Sequence, residues 1–240
     1  MSFRRTGRLL SGAICLALIT GTVLAQAAEQ SPAPPAIRRG KSPASAPSSG
    51  IDPGAVTTGV YRNKTLTLTC KIPEAWVLRT DEMNARNDSA KEVEERKTDE
   101  ADLAHAATPP ASSAGAKVLL AAFSRPPEAK GEEVNASILI AAESASSYTG
   151  LTEAAQYFYP LTEVAKAQGF ALEEDPYAVA IGTKTLVRGD FHKNVGSRVM
   201  HQSTLAMLAG GYVISITVIA GTDDQVEDLI DGLSFSAGGK

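Results

Sequence analysis

"LTLTCKIPEAW", residues 66–76, alternates apolar and polar side chains and then halts at a proline. Leu66, Leu68, Cys70 and Ile72 fall on one side of an extended chain, and Thr65, Thr67, Thr69 and Lys71 on the other. A period of two with β-branched residues on the wet side predicts a half-buried strand. Pro73 has no N–H to donate, so the ladder ends there. Trp76, the only tryptophan in the chain, is then expected to pack back at the rim of the core. Cys70, on the apolar side, reads as a buried and inert thiol, because a redox cysteine needs an accessible, electropositive setting.

Working outward, strand patterns recur at 117–125 ("KVLLAAFSR"), 134–143, 183–193, 197–208 and 211–220. The separators Pro126-Pro127, Gly131, Asn194-Val195-Gly196 and Gly210-Gly211 are turn chemistry, which favours antiparallel neighbours. Two helices are predicted. In the first, Ala154, Ala155, Phe158, Leu161 and Ala165 recur at helical spacing, with Pro160 expected to kink or break the run. The second starts at "TDDQ", where Thr222 and Gln225 have capping-box spacing and Asp223 and Asp224 suit a helix N-terminus. Its apolar stripe is Val226, Leu229, Ile230 and Leu233. Antiparallel strands with a few helices predict an α+β fold, an antiparallel sheet flanked by helices.

The 240 residues divide by composition. Residues 1–25 carry Arg4, Arg5 and Arg8, then an uncharged apolar run, then small residues at Val23-Leu24-Ala25 or Ala25-Gln26-Ala27. That order is expected of a secretory signal peptide. A retained membrane anchor fits less well, since the run is marginal in length, and Thr6-Gly7-Arg8 after Arg4-Arg5 departs from twin-arginine export. Residues 26–57, rich in Pro, Ala, Ser and Gly, bury too little to offset chain entropy and read as a disordered tether, with a scaffold-docking arm as the alternative; an acidic docking arm is the sharper reading of 81–116. A single α+β domain is expected over 58–236, interrupted at 81–116 by a charged, flexible insertion that is polar nearly all round.

Charge and cysteine content narrow the function classes. Without the three leader arginines, 20 basic residues face 27 acidic ones, and aromatics make up only 5% of the chain. Neither favours a nucleic-acid surface. With Cys15 inside the leader, Cys70 is the single mature thiol, so no intrachain disulfide is expected and stability has to come from the core. No second apolar stretch of transmembrane length follows the leader.

The opening "GVYRNKTLTLTCKIPEAW" (59–76) resembles the start of PsbP-like proteins: a tyrosine, a short strand, a turn, an alternating strand, then Pro and Trp. The closing "GGYVISITVIAGTDDQVEDLIDGLSFS" (210–236) is similar to that family's end, where a strand led by an aromatic precedes a short acid-capped helix and a final Ser-Phe. DcrB-like bacterial envelope proteins share this architecture. The pattern covers most of 59–236, and the charged insertion departs from it. The resemblance implies a PsbP/DcrB-like sandwich and an accessory role beside larger complexes, with no common catalytic set to carry over.

Three histidines are present, and His105 lies in the insertion. In "RGDFHKNVGSRVMHQS" (188–203), a two-residue turn at Val195-Gly196 would place Asp190 opposite His201 and His192 opposite Val199. Asp190, His192 and His201 would then share a sheet face and form a candidate metal or acid–base cluster. The plainer alternative is an exposed face with a His–carboxylate pair. No Gly-x-Ser-x-Gly elbow and no phosphate-binding glycine loop occur. In "YFYP" (157–160), Tyr157 and Tyr159 are candidate partner-binding residues if exposed, and cover for the core edge if not. The leading expectation is an exported, non-catalytic accessory or binding protein of the bacterial envelope, periplasmic or extracellular, with a protein partner and no cofactor. A metal-binding protein or metal-dependent enzyme using Asp190, His192 and His201 is one alternative. A small-ligand carrier is another.

Overall fold

The computed structural model describes residues 50–89, 116–126, 128–129 and 133–237, so the leader, most of the 26–57 tether and 90–115 of the insertion lie outside the described residues. Among the described residues the chain forms two antiparallel sheets and three α-helices. Strands β1 (Ala55–Thr57), β2 (Val60–Asn63), β3 (Leu68–Lys71) and β12 (Leu233–Phe235) make a four-stranded sheet in the order β1-β2-β3-β12. The larger sheet takes in β4 (Val77–Leu78), β5 (Lys117–Phe123), β6 (Ser137–Ser144) and β7 (Ala171–Leu172). It also holds β8 (Tyr177–Ile181), β9 (Lys184–Val195), β10 (Arg198–Ala209) and β11 (Tyr212–Ala220). Its order is β4-β5-β6-β11-β10-β9-β7, with β8 on the same outer edge of β9 as β7. The fold is thus the expected α+β sandwich.

The faces of the large sheet explain the layers. Ile214, Ile216, Val218 and Ala220 of β11 join Leu68, Cys70, Leu233 and Phe235 of the small sheet, and Val226, Leu229 and Ile230 of a helix, in one core. Val213, between them in the alternation, belongs to a second core on the opposite face with Tyr157, Phe158, Ala165 and Phe191. The helix on the first face is α3 (Asp223–Asp231), whose Thr222 Oγ1 accepts from the Gln225 N–H as the capping spacing predicts. The Gln225 side chain instead accepts from Gly221 N–H. The second face is covered by a 3₁₀ turn (Ala154–Tyr157) that runs into α2 (Phe158–Ala167). Pro160 sits in the first turn of α2, where its missing N–H costs nothing. The interruption therefore takes the form of a 3₁₀-to-α switch just before the proline.

The opening stretch is modified in one respect. Leu66, Leu68 and Cys70 are buried as the alternation requires, but β3 starts only at Leu68. Residues 64–67 form the β2–β3 turn, with Thr67 at φ +55 and the Leu66 N–H held by Asn63 Oδ1. Leu66 reaches the core from a turn and not from a strand. Trp76 packs half-buried against the core, as expected of a rim residue.

Two boundaries also move. Ile51 is buried, and Asp52 and Pro53 carbonyls accept from Asn63 Nδ2 and Tyr61 hydroxyl, so the fold begins about seven residues inside the segment read as tether. The first residues of the insertion are helix α1 (80–89), docked on the outer edge of β5. Asn84 donates to Val118 C=O and accepts from Val118 N–H, while Thr80 Oγ1 accepts from Ala121 N–H. Side chains of α1 thereby pair an edge strand that β4 covers only at Ala122 and Phe123. Spacing of apolar residues could not reveal this, because the anchoring groups are polar.

Burial pushes the Cys70 thiol up to about 12 from its ordinary 9.0. Native protein is expected not to react with a disulfide reagent at pH 8, and to react fully in denaturant. Since the folded thiol holds its proton to higher pH than the unfolded one, the stability tied to it is complete below about 9 and lost as pH rises toward 12. Denaturant titrations at rising pH should show that loss, reduced in Cys70→Ala.

Candidate functional site

The β9–β10 hairpin organises the polar cluster. Its turn is Gly196-Ser197 and not Val195-Gly196, with Gly196 at φ +64 in the position that type II′ turns reserve for glycine. His201 therefore pairs with His192, and Asp190 with Ser203. Advancing a two-residue turn by one residue moves each partner by two, which preserves the face. Asp190, His192 and His201 accordingly share the face covered by α3, in a register different from the expected one.

Sharing a face does not give these three a common task. Asp190 is fully engaged: Arg188 Nε donates to Oδ1 at 2.9 Å, and Tyr177 hydroxyl to Oδ2 at 2.9 Å. Arg188 reaches on to Glu227 of α3 and lies 6.0 Å from the Tyr177 ring centre. Arg188 and Asp190 side chains are only 11% and 16% exposed. Burial alone would lower the Arg188 pKa, but hydrogen bonds to Glu227 and Asp190 hold the guanidinium above its ordinary value. Burial, and then the bond to Asp190, push Tyr177 up to about 12. This network ties β8, β9 and α3 together. Asp190 acts in it as a structural anion.

The imidazoles look elsewhere. His201 Nδ1 lies 2.6 Å from Asp223 Oδ1 at the start of α3, and His192 Nδ1 lies 3.4 Å from Glu173 Oε1 just beyond β7. Glu173 is held there by its own N–H, which donates to Asp190 C=O. Donor atoms of Glu173, His201 and Asp223 all fall within 4.8 Å of one another. A cavity of about 240 Å³ opens between them, Asp190 and Glu227. Glu173 and Asp223 were not singled out by sequence. Glu173 sits in an undistinguished acidic run, and Asp223 carries an ordinary capping signature.

On the opposite face, Tyr157 proves buried at 6% exposure, which corrects its reading as a surface contact residue. Its hydroxyl donates to Glu143 Oε1 at 2.7 Å, Tyr148 hydroxyl donates to Oε2, and the two rings meet edge to face at 5.4 Å. Tyr159 is 76% exposed and borders a 350 Å³ depression with Tyr148, Leu151 and Pro160. A larger cleft of 640 Å³ lies beside Trp76, lined by Arg125, Val134, Val199 and the α3 residues Gln225 and Leu229. Charged, polar and apolar side chains share its lining. No helix among the described residues is long and apolar enough to cross a membrane.

No family model matches the chain, and no curated protein matches it. Among solved structures, a Pseudomonas aeruginosa protein of unknown function, a candidate regulator, is 22% identical over 42% of this chain and 68% of its own, with TM-score 0.31. LpqN of Mycobacterium tuberculosis, involved in cell envelope biogenesis, is 13% identical over 78% of this chain and 87% of its own, with TM-score 0.33. A Bacteroides thetaiotaomicron protein is 11% identical over 76% of this chain and half of its own, with TM-score 0.34. None of these likenesses carries a residue role to this chain.

Proposed function

We propose that this is an exported, non-catalytic accessory protein of the bacterial envelope, PsbP/DcrB-like in architecture, that works through contacts with a protein partner. The observation that carries the proposal is the N-terminal order of three arginines, an uncharged apolar run, small residues and a Pro/Ala/Ser-rich stretch ahead of one compact sandwich. Two structural features support a binding role. The partly buried carboxylate Asp190 is engaged by Arg188 and Tyr177, which leaves it unavailable as a general base. Tyr159, by contrast, offers a rigid aromatic surface beside a shallow depression.

Photo-crosslinkers placed at Tyr159 and, as a control, at exposed Arg62 of the small sheet distinguish a docking surface from general exposure. Discrete envelope adducts from position 159, absent from position 62, are expected. Recovery of free monomer from both positions would overturn the proposal.

A further inference from the structure

We infer that Glu173, His201 and Asp223 form a binding site for a divalent transition-metal ion, with His192 positioning Glu173 from behind. The inference stands apart from the export reading and does not require a partner.

Three observations carry it. First, three elements remote in sequence deliver one imidazole and two carboxylates whose donor atoms lie within 4.8 Å of one another. Donors bound at roughly 2.0–2.2 Å to one ion sit within such a span, and this mixed nitrogen–oxygen set suits zinc. Second, His201 Nδ1 is buried and lies 2.6 Å from Asp223 Oδ1, yet no hydrogen bond of acceptable geometry joins them. The pair sets a nitrogen and an oxygen donor side by side on the border of the cavity. Third, Glu173, His201 and Asp223 all border the same cavity of about 240 Å³, which leaves room for an ion beside its donors.

Charge favours the same occupant. The cavity is bordered by four carboxylates, Glu173, Asp190, Asp223 and Glu227, and by the single guanidinium of Arg188. Arg188 is spent on Asp190 and Glu227, so its guanidinium is not directed at Glu173 or Asp223. His192 Nδ1, 3.4 Å from Glu173, is placed to orient that carboxylate as outer-shell partners of metal ligands do. Three protein donors leave coordination positions for water or for an incoming group.

The test is zinc titration by calorimetry on the untagged full chain, paired with the visible spectrum of bound cobalt(II), which reports nitrogen–oxygen coordination without any activity. Stoichiometric binding is expected. Glu173→Gln, His201→Ala and Asp223→Asn should each weaken it at least about tenfold, and His192→Ala by roughly tenfold. Asp190→Asn, whose carboxylate is committed to Arg188 and Tyr177, should leave it nearly unchanged. Asp223→Asn changes an exposed side chain, so it remains informative if His201→Ala fails to fold. Absence of binding would overturn the inference, as would an affinity that follows Asp190 but ignores Glu173 and Asp223.

Discussion

Arg188→Met is expected to destabilise the protein by about 3 kcal/mol, far more than loss of an exposed ion pair. The methionine keeps much of the packing of the arginine stem but leaves Asp190, 16% exposed, with only the Tyr177 hydroxyl. A largely desolvated carboxylate that loses its guanidinium partner is costly to leave charged. Glu227→Gln should cost less than about 1 kcal/mol, since that partner is half exposed. Adding Asp190→Asn to Arg188→Met should restore part of the loss, giving a coupling of more than about 1 kcal/mol in a double-mutant cycle. Chemical denaturation of the four proteins measures it. A cost below about 1 kcal/mol for Arg188→Met would mean that the network is solvated and does not hold β8, β9 and α3 together.

Gly182→Ala should cost roughly 3 kcal/mol, and Gly196→Ala only about 1 kcal/mol, although both glycines serve turns at positive φ. Gly182, at φ +58, joins β8 to β9, and a Cβ there would lie 2.4 Å from Phe235 C=O in β12. The adjacent Thr183 N–H and hydroxyl both donate to that same carbonyl, so the turn is the seam between the two sheets. Gly196, at φ +64, has nothing within 4 Å of the corresponding position. Both substitutions carry the left-handed penalty; only the first adds a backbone clash. Thermal or chemical denaturation separates them. Equal losses would show that β12 yields easily and that the seam is soft.

How much of this was legible in the chain depends on the range of the interactions. Period-two alternation located β5, β6, β9, β10 and β11 and the buried side of "LTLTCKI", because it depends on neighbours in sequence. It overran at Leu66, where the Thr67 turn conformation buries a leucine without a strand. The face shared by Asp190, His192 and His201 survived a wrong register, since every two-residue hairpin turn gives the same parity. Their partners did not follow from it. Glu173 arrives through β7 pairing with β9, and Asp223 through the packing of α3, both long-range events without a local signature. Tyr157 was misplaced for a related reason. Helical spacing sets it about 100° from inward Phe158, but Glu143 and Tyr148 from other elements enclose it.

The functional claim rests on export, and export has a direct measurement: mass spectrometry of the mature N-terminus after fractionation of the producing cell. A chain beginning at Gln26 or Glu29's near neighbour Ala28, recovered from the envelope or the medium, is the expected result. An intact chain starting at Met1 and confined to the cytoplasm would contradict it.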